Sequence, residues 1–150
     1  MGRVRVEELL TRYGVGERNF TGTVLTGAEI TNVDLSGIDL SNSDLGEIYM
    51  EDVNFTGANL RTSRIGQSAA IRCIFRDADL TEASMGWANL ANADFTEAKL
   101  VRAYLCSADI IGTNLTRADL TGAELDGACI EKAIFDNTIM PDGNTRTDRI

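Results

Sequence analysis

A large apolar residue recurs at every fifth position from Phe20 to Met140. The series has 25 positions and every one is apolar. A second series, two positions earlier in each quintet, is mostly small between Ala28 and Ala133. An α-helix, with a period of about 3.6, and a strand, with a period of about two, cannot keep such a repeat on one face. The pattern therefore predicts a chain that turns a corner every five residues, with both series facing one interior.

Four such quintets close a square coil of twenty residues, so residues twenty apart should stack. Successive coils are expected at about 4.8 Å, the spacing of neighbouring strands. One interior column then contains Leu35, Phe55, Phe75, Phe95, Leu115 and Phe135. We expect the three consecutive phenylalanine rings to be in contact.

Asp or Asn often precedes the large residue. The side chains of these residues can accept hydrogen bonds from nearby turn amides, which a chain of corners needs repeatedly. We interpret them as structural rather than catalytic: Asp34, Asp39, Asp44, Asn54, Asn59, Asp79, Asn89, Asp94, Asp109, Asn114 and Asp119. Six glycines fall at corners where a positive φ is expected: Gly27, Gly37, Gly57, Gly112, Gly122 and Gly127.

The quintets consist of a small residue, Asp or Asn, Leu or Phe, and two mostly polar residues, as in Ala78-Asp79-Leu80-Thr81-Glu82. Over residues 18–140 this pattern resembles the pentapeptide-repeat proteins, and the flanks resemble those of cyanobacterial members. The resemblance implies an all-β solenoid, a right-handed quadrilateral β-helix of about six coils.

A single domain over residues 1–150 is expected. Residues 4–13 predict a short helix with Val6, Leu9, Leu10 and Tyr13 on one face, which we interpret as an N-terminal cap over the open stack. Residues 141–150 predict a C-terminal tail whose last residues, from Thr145, are loose. The end near Met140 leaves a monomer and an end-to-end dimer open, and no C-terminal helix is evident.

The composition excludes several classes of function. The net charge of -9 argues against direct binding to nucleic acid or to an anionic membrane. The absence of histidine excludes Ser-His-Asp and Cys-His catalysis and histidine-ligated metals. No phosphate-binding glycine motif precedes a helix. We therefore predict that the protein is not an enzyme, and no catalytic, metal-binding or cofactor-binding residue and no cofactor are assigned.

Three cysteines and the lack of a secretory signal lead us to expect reduced thiols and a cytoplasmic location. Cys73 falls at a small interior position, where we expect an inert thiol. Cys106 and Cys129 point outward in different columns, so we do not expect them to form a disulfide. No segment approaches the roughly 20 apolar residues that span a bilayer.

Outward apolar residues give one candidate interaction patch: Tyr49, Ile71, Ile74, Trp87 and Ile111. Tyrosine and tryptophan are favoured interface anchors, although scattered surface apolar residues are also common. A second feature is the group Arg61, Arg64, Arg72 and Arg76, which follows an acidic segment. These arginines either hold an acidic partner or offset neighbouring carboxylates, and we favour the second interpretation.

These observations predict a non-enzymatic interaction or scaffold module that binds an unidentified protein partner through a rigid face. The family resemblance implies an alternative, because some pentapeptide-repeat proteins bind DNA gyrase or related topoisomerases as acidic mimics of DNA. The net charge is compatible with mimicry. The arginine group and the unbroken five-residue register are not typical of gyrase-directed members.

Overall fold

Backbone pairing repeats every twenty residues in the computed structural model, which describes residues 2–149. Strands β1 (Glu29–Thr31), β2 (Tyr49–Glu51) and β3 (Ala69–Ile71) form a parallel sheet in which Ile30 pairs with Met50 and Met50 with Ala70. Single-residue parallel bridges extend this spacing from the Asn19–Asp39 pair to the Asp119–Ile139 pair. The five-residue period predicts this stack of square coils, and the fold is the right-handed quadrilateral β-helix that the family resemblance implies.

Each corner has the same backbone geometry. From Phe20 to Phe135, the second residue after each large one lies in the left-handed region, at φ values of 53° to 60° where it is not glycine. The six predicted corner glycines have φ values of 66° to 71°, which confirms that expectation. The eleven Asp and Asn residues interpreted as structural all accept a hydrogen bond from the backbone N–H two residues later, at 2.9–3.3 Å. Their structural role is confirmed.

The interior follows the two sequence series. All large residues from Phe20 to Leu120 are buried, as is Phe135, whereas Leu125, Ile130 and Met140 are only half-buried. The rings of Phe55 and Phe75 lie 5.3 Å apart, and those of Phe75 and Phe95 lie 4.9 Å apart, both pairs nearly parallel. The predicted stack is therefore present, and the distance between coils imposes its parallel geometry.

The N-terminal end is covered by helix α1 (Val6–Gly14), close to the predicted range. Leu9 is fully buried against the first coil, and Val6, Leu10 and Tyr13 pack beside it. The Tyr13 hydroxyl donates a hydrogen bond of 2.8 Å to the carbonyl oxygen of Ser36. The prediction of a helical cap is confirmed.

The C-terminal end differs from the prediction. Strands β4 (Ile134–Ile139) and β5 (Thr145–Arg149) form an antiparallel hairpin, so residues 145–149 are not loose. A turn joins the strands, with the Met140 N–H donating to the Asn144 carbonyl oxygen at 2.8 Å. The Arg146 guanidinium lies 4.0 Å from the centre of the Phe135 ring. Sequence reasoning missed β5 because its residues are polar and gain strand geometry only by pairing with β4.

The hairpin covers only part of the last coil. In the coil below, the N–H groups of Leu105, Ser107, Ile110 and Gly112 donate to carbonyl oxygens twenty residues or so later. The corresponding N–H groups of the last coil have no hydrogen-bond partner among residues 2–149: Leu125, Gly127, Ile130 and Lys132. Residues 124–132 therefore form an open parallel edge beside half-buried apolar side chains.

The cysteines lie where the sequence predicts. Cys73 is buried, and burial raises the pKa of its thiol to about 11. Cys106 is half-buried, Cys129 is exposed, and neither forms a disulfide. In the described part of the chain, no helix has the length and apolar character needed to cross a membrane.

Candidate interaction site

Three residues of the predicted patch lie on one side of the β-helix. We call this side the isoleucine face. Ile71, Ala91 and Ile111 stack at equivalent positions, since the N–H groups of Arg72 and Asn92 donate to the carbonyl oxygens of Ala91 and Ile111. Both isoleucines are half-buried. The pairing of Tyr49 with Ala69 places Tyr49 on the same side, one coil below Ile71.

The other two residues of the patch lie around the corners of this face. Ile74 belongs to the following side and is half-buried. Trp87 occupies the corner that precedes the isoleucine face, and its side chain is 69% exposed. The structure thus brings Tyr49, Ile71 and Ile111 together on a flat surface and places Ile74 and Trp87 at its two borders.

Polar contacts orient the lower edge of the isoleucine face. The Tyr49 hydroxyl donates a hydrogen bond of 2.6 Å to Glu51, and this bond raises the pKa of Tyr49. Arg72 forms ion pairs with Asp52, at 2.9 Å, and with Glu51. The hydrogen bond from Arg72 lowers the pKa of Asp52. Tyr49 therefore presents its ring, while the charges beside it are already paired.

The four arginines singled out in the sequence are all paired with carboxylates from neighbouring coils. The nitrogen–oxygen distances are 3.2 Å for Arg61–Asp79, 3.6 Å for Arg64–Asp44, 2.9 Å for Arg72–Asp52 and 2.7 Å for Arg76–Asp94. This geometry confirms that the arginines offset neighbouring acids. They are not a free basic cluster.

A groove on the side that precedes the isoleucine face was not predicted. We call it the glycine groove. It has a volume of about 360 Å³, and Gly46, Gly66 and Gly86 lie along its floor. Tyr104, 41% exposed, and Trp87 are its two aromatic residues. Its signal in the sequence was three glycines twenty residues apart, at the position directly after the large residue rather than at a corner.

Charged groups lie at the lower end of this groove. Asp44 and Glu47 face it from one coil and Arg64 from the next. Arg64 and Asp44 are 3.6 Å apart, and the Arg64 side chain is 76% exposed. Within residues 2–149 no group of three or more Asp, Glu or Cys side chains has an arrangement suited to a metal ion.

The repeat is matched by a family model described as "Pentapeptide repeats". The model aligns in eight copies, over residues 19–42, 34–68, 63–96 and 98–137. These ranges include nearly all of the β-helix. The sequence matches no curated protein.

Several solved structures are similar to this chain. The pentapeptide repeat protein Rfr23 from the cyanobacterium Cyanothece 51142 is 21% identical, with 87% of this chain and 96% of that chain covered and a TM-score of 0.58. The pentapeptide repeat protein alr5209 from Nostoc Pcc 7120 is 30% identical, with coverages of 76% and 82% and a TM-score of 0.42. HetL, a pentapeptide repeat protein involved in heterocyst differentiation regulation in Nostoc sp. strain PCC 7120, is 24% identical, with coverages of 95% and 100% and a TM-score of 0.39.

Proposed function

Since this chain belongs to the pentapeptide-repeat family, we propose that it is a non-enzymatic protein-interaction module that holds a partner protein against one rigid side of its β-helix. Rigidity supports this role, because parallel backbone pairing every twenty residues fixes each outward side chain relative to the next coil. A partner that binds such a surface meets side chains that are already in place, so association orders few of them.

The isoleucine face is the observation that carries the proposal. Outward positions of a solenoid are expected to be polar, yet Ile71, Ala91 and Ile111 form an apolar column across three successive coils. Tyr49 extends the column downward and Trp87 borders it. An aligned apolar column between aromatic side chains is the composition that protein interfaces favour at their centres.

The alternative is an acidic mimic of DNA that binds gyrase or another topoisomerase. The net charge of -9 and the acidic first coils favour it. The distribution of arginines is less favourable, because Arg61, Arg64, Arg72 and Arg76 interrupt the negative charge on all four sides of the β-helix. A DNA-like surface would need continuous negative charge along at least one side.

Capture of partners from an extract of the source cells tests the proposal. The wild-type protein, Ile71→Glu and Val15→Glu are immobilised in parallel. Val15 is the matched control, because it is apolar and 83% exposed but lies outside the β-helix. We expect one protein to bind the wild type and the Val15→Glu variant in near-stoichiometric amounts and to be lost with Ile71→Glu.

Two outcomes would count against this assignment. Equal recovery of every protein by the wild type and Ile71→Glu would remove the isoleucine face as an interface. Saturable binding of purified gyrase, together with inhibition of its supercoiling activity, would favour the DNA mimic instead.

We also propose a cytoplasmic location. The three unpaired thiols support it, because the exposed Cys129 and half-buried Cys106 would be open to oxidation in an oxidising compartment. Fractionation of the source cells tests this proposal. Recovery of the protein with a periplasmic or lumenal fraction would contradict it.

A further inference from the structure

The floor of the glycine groove consists of glycines, although the backbone conformation there does not require glycine. Gly46, Gly66 and Gly86 occupy the position directly after a buried large residue, where none of them has a positive φ. The same position on the same side holds Thr26, Cys106 and Asp126 in other coils. The fold therefore accepts side chains there, and their absence from three consecutive coils creates the groove.

Two rows of side chains line the groove. One row consists of Asp44, Arg64, Ser84 and Tyr104, and the other of Glu47, Gln67 and Trp87. The Tyr104 ring lies directly over Gly86, since a methyl group added at Gly86 would be 2.5 Å from the Tyr104 Cε1 atom. Tyr104 closes the upper end, so the open floor extends from Gly46 to Gly66.

The position of Trp87 gives its side chain no role in stabilising the fold. Its backbone has a φ of 60°, a conformation unfavourable for a bulky residue. Its side chain is 69% exposed and does not pack in the interior. Equivalent corners on this side hold Gly27, Gln67 and Ser107. A strained, exposed tryptophan at the border of a groove is better explained by contact with another molecule than by folding.

The charges around the groove select a basic occupant. Asp44 and Glu47 lie at its lower end, and Glu124 and Asp126 lie farther up the same side. Arg64 is the single base that lines the groove, and Asp44 already offsets it. A guanidinium stacks on an indole ring and pairs with carboxylates, so arginine fits both the aromatic and the acidic part of the site.

We propose that the glycine groove binds an extended segment of a partner protein, with an arginine side chain against Trp87 and the acidic end. The open floor from Gly46 to Gly66 spans one inter-coil distance of about 5 Å, which corresponds to one or two extended residues. This inference rests on the proposed function, because it names the chemistry of a partner for the same interaction module. It assigns that partner to the side next to the isoleucine face.

The fluorescence of Trp87 provides a direct test, because it is the only tryptophan in the chain. The full-length protein is titrated with a short peptide of alternating glycine and arginine. Matched peptides replace arginine by citrulline, which keeps the planar shape without the charge, or by glutamate. We expect a saturable change in emission with the arginine peptide, binding about tenfold weaker with citrulline, and no binding with glutamate.

Substitutions in the floor distinguish binding in the groove from general electrostatic attraction between a basic peptide and an acidic protein. Gly66→Thr should weaken peptide binding about tenfold by filling the floor. Ala91→Thr is the matched control at the equivalent position of the isoleucine face and should bind the peptide as the wild type does. A methyl group at Gly66 would lie 3.3 Å from the Gly86 carbonyl oxygen, which belongs to the backbone. Gly46→Thr is therefore a second filling variant, because the closest neighbour of a methyl group at Gly46 is the Asp44 side chain at 3.2 Å and the nearest backbone atom, the Gly66 carbonyl oxygen, is 3.8 Å away. Circular dichroism verifies that each variant is folded.

Equal affinity for the arginine and citrulline peptides would overturn the proposal. So would wild-type affinity in folded Gly66→Thr and Gly46→Thr. The Ile71→Glu variant should retain peptide binding. If no peptide binds while Ile71→Glu still loses a cellular partner, the interaction module stands and only the assignment of the groove fails.

Discussion

The two ends of the β-helix are closed by different means. At the N-terminal end, helix α1 inserts Leu9 fully into the interior, and residues 2–4 pair with Val24 of the first coil. At the C-terminal end, the hairpin of β4 and β5 extends the backbone pairing over two sides of the last coil. On the other two sides, N–H groups beside half-buried Leu125 and Ile130 have no hydrogen-bond partner in the described part of the chain.

This difference shows that a solenoid end presents two separate problems. One is the exposed apolar interior, which a single buried leucine on a helix covers at the N-terminus. The other is the unpaired edge of the strands, which the C-terminal hairpin relieves only in part. We therefore expect the N-terminal cap to depend on side-chain burial and the C-terminal cap on backbone pairing.

Truncation of Leu9 should produce the largest effect at either end. Leu9→Ala removes a fully buried side chain and is expected to lower the free energy of unfolding by about 3 kcal/mol. Urea denaturation followed by circular dichroism measures the change. Val15→Ala, at a position 83% exposed, is the control and should change stability by less than about 0.5 kcal/mol. A cost below about 1 kcal/mol for Leu9→Ala would mean that the helix is not the principal cover of that end.

Removal of the Arg146 side chain should have a smaller effect at the opposite end. Its guanidinium packs on Phe135 and pairs with Asp148 at 2.5 Å, within the hairpin. We expect Arg146→Ala to lower the unfolding free energy by about 1 kcal/mol, measured in the same way. Arg117→Ala breaks an exposed ion pair with Glu97 between two central coils. This substitution should lower the unfolding free energy by less than Arg146→Ala does. If the two variants were equal, the hairpin would contribute no more than an ordinary surface ion pair.

The open edge should allow two copies to associate end to end. The N–H groups near Ile130 that lack a partner among residues 2–149 form an edge that can pair with a second copy. Sedimentation velocity should show concentration-dependent dimers of the wild type and monomers of Ile130→Lys. Because Ile130 is only half-buried, this variant should remain nearly as stable as the wild type. A wild type that stays monomeric at high concentration would show that the partial cover is sufficient.

Lowering the pH should remove a small contribution to the free energy of unfolding at each end of the β-helix. Hydrogen bonds from Arg12 lower the pKa of Glu17, and those from Arg146 lower the pKa of Asp148. A carboxyl group with a lowered pKa contributes its full stabilisation above its unfolded pKa of about 4, and this contribution is lost as the pH falls through the lower pKa of the folded state. Glu17→Gln and Asp148→Asn should therefore melt below the wild type at pH 7 and approach it at a pH of about 2. If the melting temperature of each variant lay equally far below that of the wild type at both pH values, the lost contacts would not be ionic.

The interior could be predicted from the sequence because every quintet repeats the same environment. A single rule, one large and one mostly small residue facing inward in each quintet, accounts for Phe75, Leu80 and nearly every other core residue. The ends escaped prediction where they depart from that rule. Residues 145–149 are polar and alternate with no apolar series, so only their pairing with β4 makes them a strand.

The candidate site could be predicted only in part for a related reason. The apolar column of Ile71 and Ile111 followed from the twenty-residue spacing and lies where that spacing placed it. The glycine groove was not predicted, because most glycines in this chain are explained by a positive φ, as at Gly57. Gly46, Gly66 and Gly86 matter for the side chains they lack, and that becomes visible only when successive coils are superimposed.

The twenty-residue register also limits how such a chain can change in length. An insertion of twenty residues would add one coil and leave every interior column and every outer side as it was. An insertion of five would satisfy the same local pattern but rotate everything beyond it by one side. Placed between Phe75 and Phe95, it would separate the stacked rings and move Tyr104 away from Gly86. Duplication of whole coils is therefore the change in length that preserves both core and binding surface, so related chains should differ in length chiefly by multiples of one coil.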